Sequence, residues 1–240
     1  MRLSRFFLFF ILGALFFSCG DKKESTEADE INSTASPIPG MTKDIWTFEG
    51  KAFGIFHEVK DFDSWKAVFD EDEPRRETSG FKFLSILRSV EQENSIAIFF
   101  MTPDHKAAKD FISDDLHKKM DEAGVTSEPS FIMYDVIYLT SQDYSSIPYR
   151  IAASYKVKNY KTWLEKYVAD TGNKAKAGIT DIAAARSPES HRMVYIMTAA
   201  TTLEEAQAFI EKEFSPERMS EYGAIDEPAY SLWKRADYID

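Results

Sequence analysis

Four histidines occur in the chain, His57, His105, His117 and His191, and neutral imidazole is the commonest metal-ligating side chain. His57 shares one face of an alternating stretch with Ile55 and Val59, the face that a half-buried strand turns toward its covering helices. His117 follows Leu116 in a helical stripe that covers the same sheet. The two imidazoles could therefore approach each other and hold a metal, or each could be a satisfied histidine of core or surface. Arg88 and Arg186 each close a strand-like run and lie 98 positions apart. Guanidiniums there could neutralise an anionic ligand or pair with neighbouring carboxylates. Trp65 and Trp163, also 98 apart, either anchor a helix to a sheet or line a ligand cavity between the two. Tyr155 falls at the position of His57 and Ser215 at that of His117, so a histidine site would exist once. Tyr134 and Trp233 either line an interior space or fill it. The candidate ligand-binding set is thus His57, Trp65, Arg88, His117, Tyr155, Trp163 and Arg186.

Other chemistries are excluded or left without a candidate. No G-x-G-x-x-G, Walker phosphate loop, G-x-S-x-G elbow or H-E-x-x-H occurs, so those routes to nucleotide, acyl-transfer or zinc chemistry are closed. No spacing forces two carboxylates into a shared site, and no nucleophile is isolated with a base. The acidic run Asp70–Glu77 reads as the solvated end of a helix. Lys and Arg total 29 against 40 Asp and Glu, a formal charge of −11, which argues against nucleic acid and anionic membrane surfaces as partners.

The N-terminus points to the cell envelope. Arg2 and Arg5 precede an apolar run from Phe6 to Phe17, followed by Ser18-Cys19-Gly20, a pattern of a secretory signal too short for a membrane-spanning helix. A Cys directly after the run resembles the lipobox of bacterial lipoproteins, which makes Cys19 the expected lipidation site and residues 1–18 the signal peptide. Cys19 is the one cysteine in the chain, so neither an intrachain disulfide nor a cysteine zinc site can form. Removing residues 1–18, with two arginines and no acid, takes the formal charge from −11 to −13; membrane attachment would run through lipid rather than a basic face. Residues 19–46 are rich in Ser, Thr, Glu and Pro, too polar to offset the entropy of ordering, and read as a flexible tether. Their early acids resemble surface-export signals of Bacteroidetes lipoproteins, or are incidental to a solvated linker. A lipid-anchored protein of the bacterial envelope, at the outer membrane, is the expectation.

The elements that must position the candidate residues are repeated. At an offset of 98, Val59, Lys60, Trp65, Gly80, Arg88 and Ser89 meet Val157, Lys158, Trp163, Gly178, Arg186 and Ser187. Met101-Thr102 then meet Met197-Thr198, and Ala108, Phe111 and Ile112 meet Ala206, Phe209 and Ile210. Matches that hold their order along most of the chain mark a tandem duplication. Each copy reads strand, helix, strand, strand, helix, strand, with Asp61 and Asn159 as helix caps and glycines at the turns. This is the split βαβ, ferredoxin-like order, with units over 47–144 and 145–240 and an α+β fold class.

The stretches "VKDFDSWKAVFDE" and "AGV…EPSFIMYDV" resemble the dimeric α/β-barrel superfamily, which includes the antibiotic-biosynthesis monooxygenase-like proteins. The resemblance covers about 50–140 and 148–238 and implies two ferredoxin-like units closing a barrel through their sheets, here within one chain as an intramolecular pseudo-dimer. It also implies a histidine-held haem in some members, for which His57 and His117 are the candidates here. The Asn-Trp-His catalytic set of the haem-degrading members has no match in this chain, and no motif calls for a cofactor. Two functions follow as expectations: a module binding a small apolar or aromatic ligand or a partner, and, by resemblance alone, a cofactor-independent monooxygenase or haem-degrading enzyme.

Overall fold

The alternation from Ala52 to His57 makes a strand, and the computed structural model of the chain, which describes residues 50–141 and 143–236, places it in β1, Gly50–Glu58. Asp61 leaves the strand in extended backbone, and its carboxylate accepts from the Ser64 amide at 2.8 Å. That cap opens α1, Phe62–Glu71, by satisfying one of the amides a helix start leaves free. Asn159 does the same for α5, Tyr160–Ala169, through the Thr162 amide at 2.9 Å.

The sequence predicts one helix per crossover, and each crossover holds two. After α1 comes α2, Glu73–Thr78, with Pro74 in its first turn; proline has no amide to give α1, and its ring clashes with the carbonyl four residues back. The run from Asp70 to Glu77 is therefore a break and a new helix, and Arg76 within it is buried. After β2, Lys82–Ser89, and β3, Ser95–Thr102, the second crossover divides into α3, His105–Phe111, and α4, Asp114–Glu122. Ser113 caps α4. β4, Ser130–Leu139, ends the first half.

The second half repeats the order: β5 Tyr149–Lys156, α5, α6 Thr171–Lys176, β6 Ile179–Arg186, β7 Met193–Ala200, α7 Leu203–Glu213, α8 Pro216–Tyr222 and β8 Ala229–Arg235. Gly80 and Gly178 leave their helices at φ +74° and +76°, a left-handed backbone that side chains with a Cβ rarely adopt.

The eight strands close an antiparallel barrel in the order β1-β3-β2-β8-β5-β7-β6-β4, with β4 returning to β1. Two seams join the halves: Leu87–Ser89 of β2 with Trp233–Arg235 of β8, and Asp135–Leu139 of β4 with Ala183–Arg186 of β6. A bulge at Leu84 in β2 recurs at Ile182 in β6, 98 positions on, so the duplication extends to the irregularities of the ladder. The chain is thus an α+β barrel of two ferredoxin-like units, closed on itself.

Strand alternation divides the core in three. Residues such as Phe53, Ile55 and His57 face the helices of the first half, and Ile151, Ala153 and Tyr155 face those of the second. The opposite faces meet inside the barrel. There the rings of Trp233, Phe56, Phe99, Tyr134 and Tyr195 form a continuous file, with successive centroids 6.3, 5.6, 6.4 and 5.0 Å apart. The fill is tight: a Cβ added at Gly54 would stand 3.0 Å from the Phe56 ring and 3.1 Å from that of Phe99.

Candidate functional site

β1 carries His57 to the helix side of the sheet, and α1 sets Trp65 over it, ring centroids 5.6 Å apart. Trp65 in turn stacks on Phe69 at 5.2 Å. His57 is 4% exposed, and neither ring nitrogen has a hydrogen-bond partner among the described residues. Burial lowers its pKa to about 4, because a charged imidazole would lose its water without gaining an acceptor. His117 has other partners: its Nδ1 is 2.9 Å from the Ser113 carbonyl and its ring packs on Phe131 at 5.9 Å. No hydrogen bond or ring contact joins His57 to His117 among the described residues.

The second half fills the matching layer with polar chemistry. Trp163 donates its Nε1–H to the Tyr155 hydroxyl at 2.9 Å and stacks on Tyr167 at 5.2 Å. Tyr167 donates to Asp181 at 2.6 Å, and Lys174 reaches the same carboxylate at 3.0 and 3.3 Å. The Lys174 ammonium also lies 3.2 Å above the Tyr167 ring, a cation–π contact in a nearly dry setting. Burial lowers the Lys174 pKa against the pull of Asp181, and burial together with Asp181 raises that of Tyr167. Arg76 holds the matching place in the first half, 3.8 Å above Phe69 and bonded to its carbonyl at 2.6 Å. The sequence did not single out Lys174, Asp181 or Tyr167. The signal was the Arg76/Lys174 and Phe69/Tyr167 matches at the repeat offset.

The two arginines part company. Arg88 is held inside the first half, bonded to the Glu93 carbonyl and carboxylate, each at 3.0 Å, and lying 4.5 Å over Phe62. Arg186 lies 5.0 Å over Tyr160 at the β4–β6 seam and stops 3.9 Å from Asp135. Tyr160 is pushed up to about 12, chiefly by burial. Tyr134 and Trp233 belong to the barrel fill, Trp233 donating to Ser231 at 2.6 Å. Cys19 lies outside the described residues, as do the signal segment and the tether.

The described surface includes two open clefts. One, about 360 Å³, is lined by Lys166, Asp170, Arg218 and Tyr222 among others; the second, about 340 Å³, by Arg75, Phe111 and Ser113 among others. Neither is lined by His57, His117 or Arg88. No group of three or more His, Cys, Asp or Glu side chains could hold a metal among the described residues. A porphyrin does not fit at His57 in this conformation. The imidazole is neutral, as an iron ligand must be, but Trp65 and the surrounding first-half core occupy the space beside it.

No protein-family model and no curated protein sequence matches the chain. Solved structures do share its fold. An anthrone oxidase-like protein aligns with TM-score 0.53 at 8% identity, over 79% of this chain and 92% of its own. A candidate monooxygenase from Lactobacillus acidophilus aligns with TM-score 0.51 at 11% identity, over 78% and 94%. A chlorite dismutase variant from Candidatus Nitrospira defluvii gives 0.54 at 9%, over 81% and 94%. At these identities the likeness establishes architecture, and it agrees with the closed eight-strand barrel.

Proposed function

We propose that this chain, built on the dimeric α/β-barrel fold, is a binding module anchored by lipid at Cys19 to the bacterial cell envelope, at the outer membrane, and that it meets its ligand or partner on the outside of the barrel. The filled interior carries this reading. Aromatic rings close the barrel, and the helix–sheet layers hold a hydrophobic core in one half and a satisfied Lys174–Asp181–Tyr167 cluster in the other. A small apolar or aromatic ligand would sit in a surface cleft or at the halves' junction. The signal-like N-terminus, Cys19 and the polar tether support attachment at a distance from the bilayer.

An oxygenase or haem protein, in line with what its structural neighbours are described to be, is the competing reading. His57 favours it: a buried neutral imidazole with both nitrogens bare, beside a tryptophan. That reading requires the first-half layer to open. The mature protein, titrated with haemin and supplied with anthrone under an oxygen electrode, separates the two. The binding module predicts no Soret shift and no oxygen uptake. A Soret shift lost in His57→Ala, or steady oxygen uptake, would establish the competing reading instead. Globomycin should make the unprocessed precursor accumulate; an unchanged gel pattern would remove the lipid anchor.

A further inference from the structure

Three adjacent strands set charges side by side at the β4–β6 seam. Lys51 pairs in register with Asp135, and Asp135 with Arg186. The first residue of α3, His105, lays its ring on the same carboxylate. Asp135 Oδ1 is taken by Lys51 at 2.6 Å and by His105 Nε2 at 2.9 Å. Arg186 does not close on Oδ2: at 3.9 Å it is beyond hydrogen-bond length. Among the described residues its buried Nε has no acceptor and the buried His105 Nδ1 no partner.

A guanidinium stays protonated in a protein, so its Nε–H always calls for an acceptor. One carboxylate here faces two permanent cations and an imidazole, in a chain whose formal charge is −11. The opposite seam answers its own needs. Arg88, at the place of Arg186, is bonded to Glu93 and pairs in register with Lys234 rather than an acid. Leu203 opens α7 where His105 opens α3, and Tyr149 replaces Lys51 in the register. The halves therefore differ where a donor is left without a partner. The Lys51 side chain stays 43% exposed and that of Arg186 20% exposed, so solvent reaches both cations, and a ligand that bonds the buried Arg186 Nε must displace what covers it.

We propose that Arg186 and Lys51 bind an oxyanion, a carboxylate or a phosphate group, at the β4–β6 seam, and that His105, its Nε2 on Asp135, positions the Asp135 carboxylate beside them. The planar Arg186 fork presents two parallel donors to such a group, with the Tyr160 ring as its floor. Lys51, His105 and Asp135 come from the first half and Arg186 from the second, so the site is complete only in the closed barrel. Its biological use rests on the surface-binding reading above. The chemistry does not, and oxygenase activity could appear or fail without altering it.

The test is a titration of the mature protein with sodium phosphate, and separately with sodium acetate, against sodium chloride at matched ionic strength. The arginine Nε–H region of the ¹H–¹⁵N spectrum is the readout. A saturable shift of the Arg186 Nε–H resonance is expected, and the tighter of the two anions identifies the source chemistry. Arg186→Gln should weaken binding about tenfold, the loss of one charge-assisted pair; Arg186→Lys should weaken it too while keeping the charge. His105→Leu, which copies the second half, should weaken it several-fold, and Lys212→Gln, at an exposed lysine of α7, should leave it intact. Shifts that merely follow ionic strength, or an equal loss in Lys212→Gln, would overturn the proposal.

Discussion

His57 shows how one residue can make stability depend on acidity. Its pKa in the fold, about 4, lies below the unfolded value of roughly 6.5, so the folded state holds this proton less tightly. The stability that His57 allows is fully present above about pH 6.5 and is lost as the pH falls toward 4, on the order of 3 kcal/mol in total. His57→Phe keeps a ring against Trp65 and removes two bare nitrogens. The variant should be at least as stable as wild type at pH 7. Between pH 7 and 4.5 its advantage should grow by about 2–3 kcal/mol, read by urea denaturation at both values. Parallel losses in the two proteins would show that His57 does not carry the effect.

At the scale of elements, each half pins its short second helix to the layer beneath with a buried cation over a ring, and the second half adds an ion pair. Lys174 on α6 meets Asp181 on β6, both side chains 2% exposed. Removing one member of such a pair leaves the other charged and dry, at about 3–5 kcal/mol. Lys174→Met should cost that much in a denaturant melt, and Lys174→Met with Asp181→Leu should cost less than the single change. Additive losses would mean that the pair is not coupled. The caps Asp61 and Asn159 and the anchors Trp65 and Trp163 were legible in the sequence, because capping and helical spacing act within a few residues. The Lys174–Asp181 pair was not. A lysine in a short polar helix and an aspartate in a strand both read as surface groups until the layer closes over them. The split crossovers were missed for two reasons: the apolar stripe of the second crossover continues across Ser113 from Phe111 to Leu116, and the charged run Asp70–Glu77 reads as the frayed end of one helix, while Pro74 and the Ser113 cap end the hydrogen-bonded ladder.

For the whole molecule, duplication explains closure. A single four-stranded unit would leave one sheet face wet and two edges unpaired; two in one chain bury those faces on each other and join the edges at two seams. The order of strands and crossovers could be read from the repeat, and the barrel from the resemblance to the dimeric α/β-barrel superfamily. Whether the barrel was hollow could not, because alternation tells which side chains point inward and not how completely they fill the space. The account stands on that filling: a self-closed barrel that keeps nothing inside. Native mass spectrometry of the full-length protein, extracted from its own membrane in mild detergent, tests this most directly. The expected result is a single chain, carrying the lipid proposed at Cys19, with no non-covalent adduct held inside the barrel. A retained molecule of several hundred daltons that is released on denaturation and photo-crosslinks to barrel-interior rings such as Phe99 or Tyr195 would contradict it.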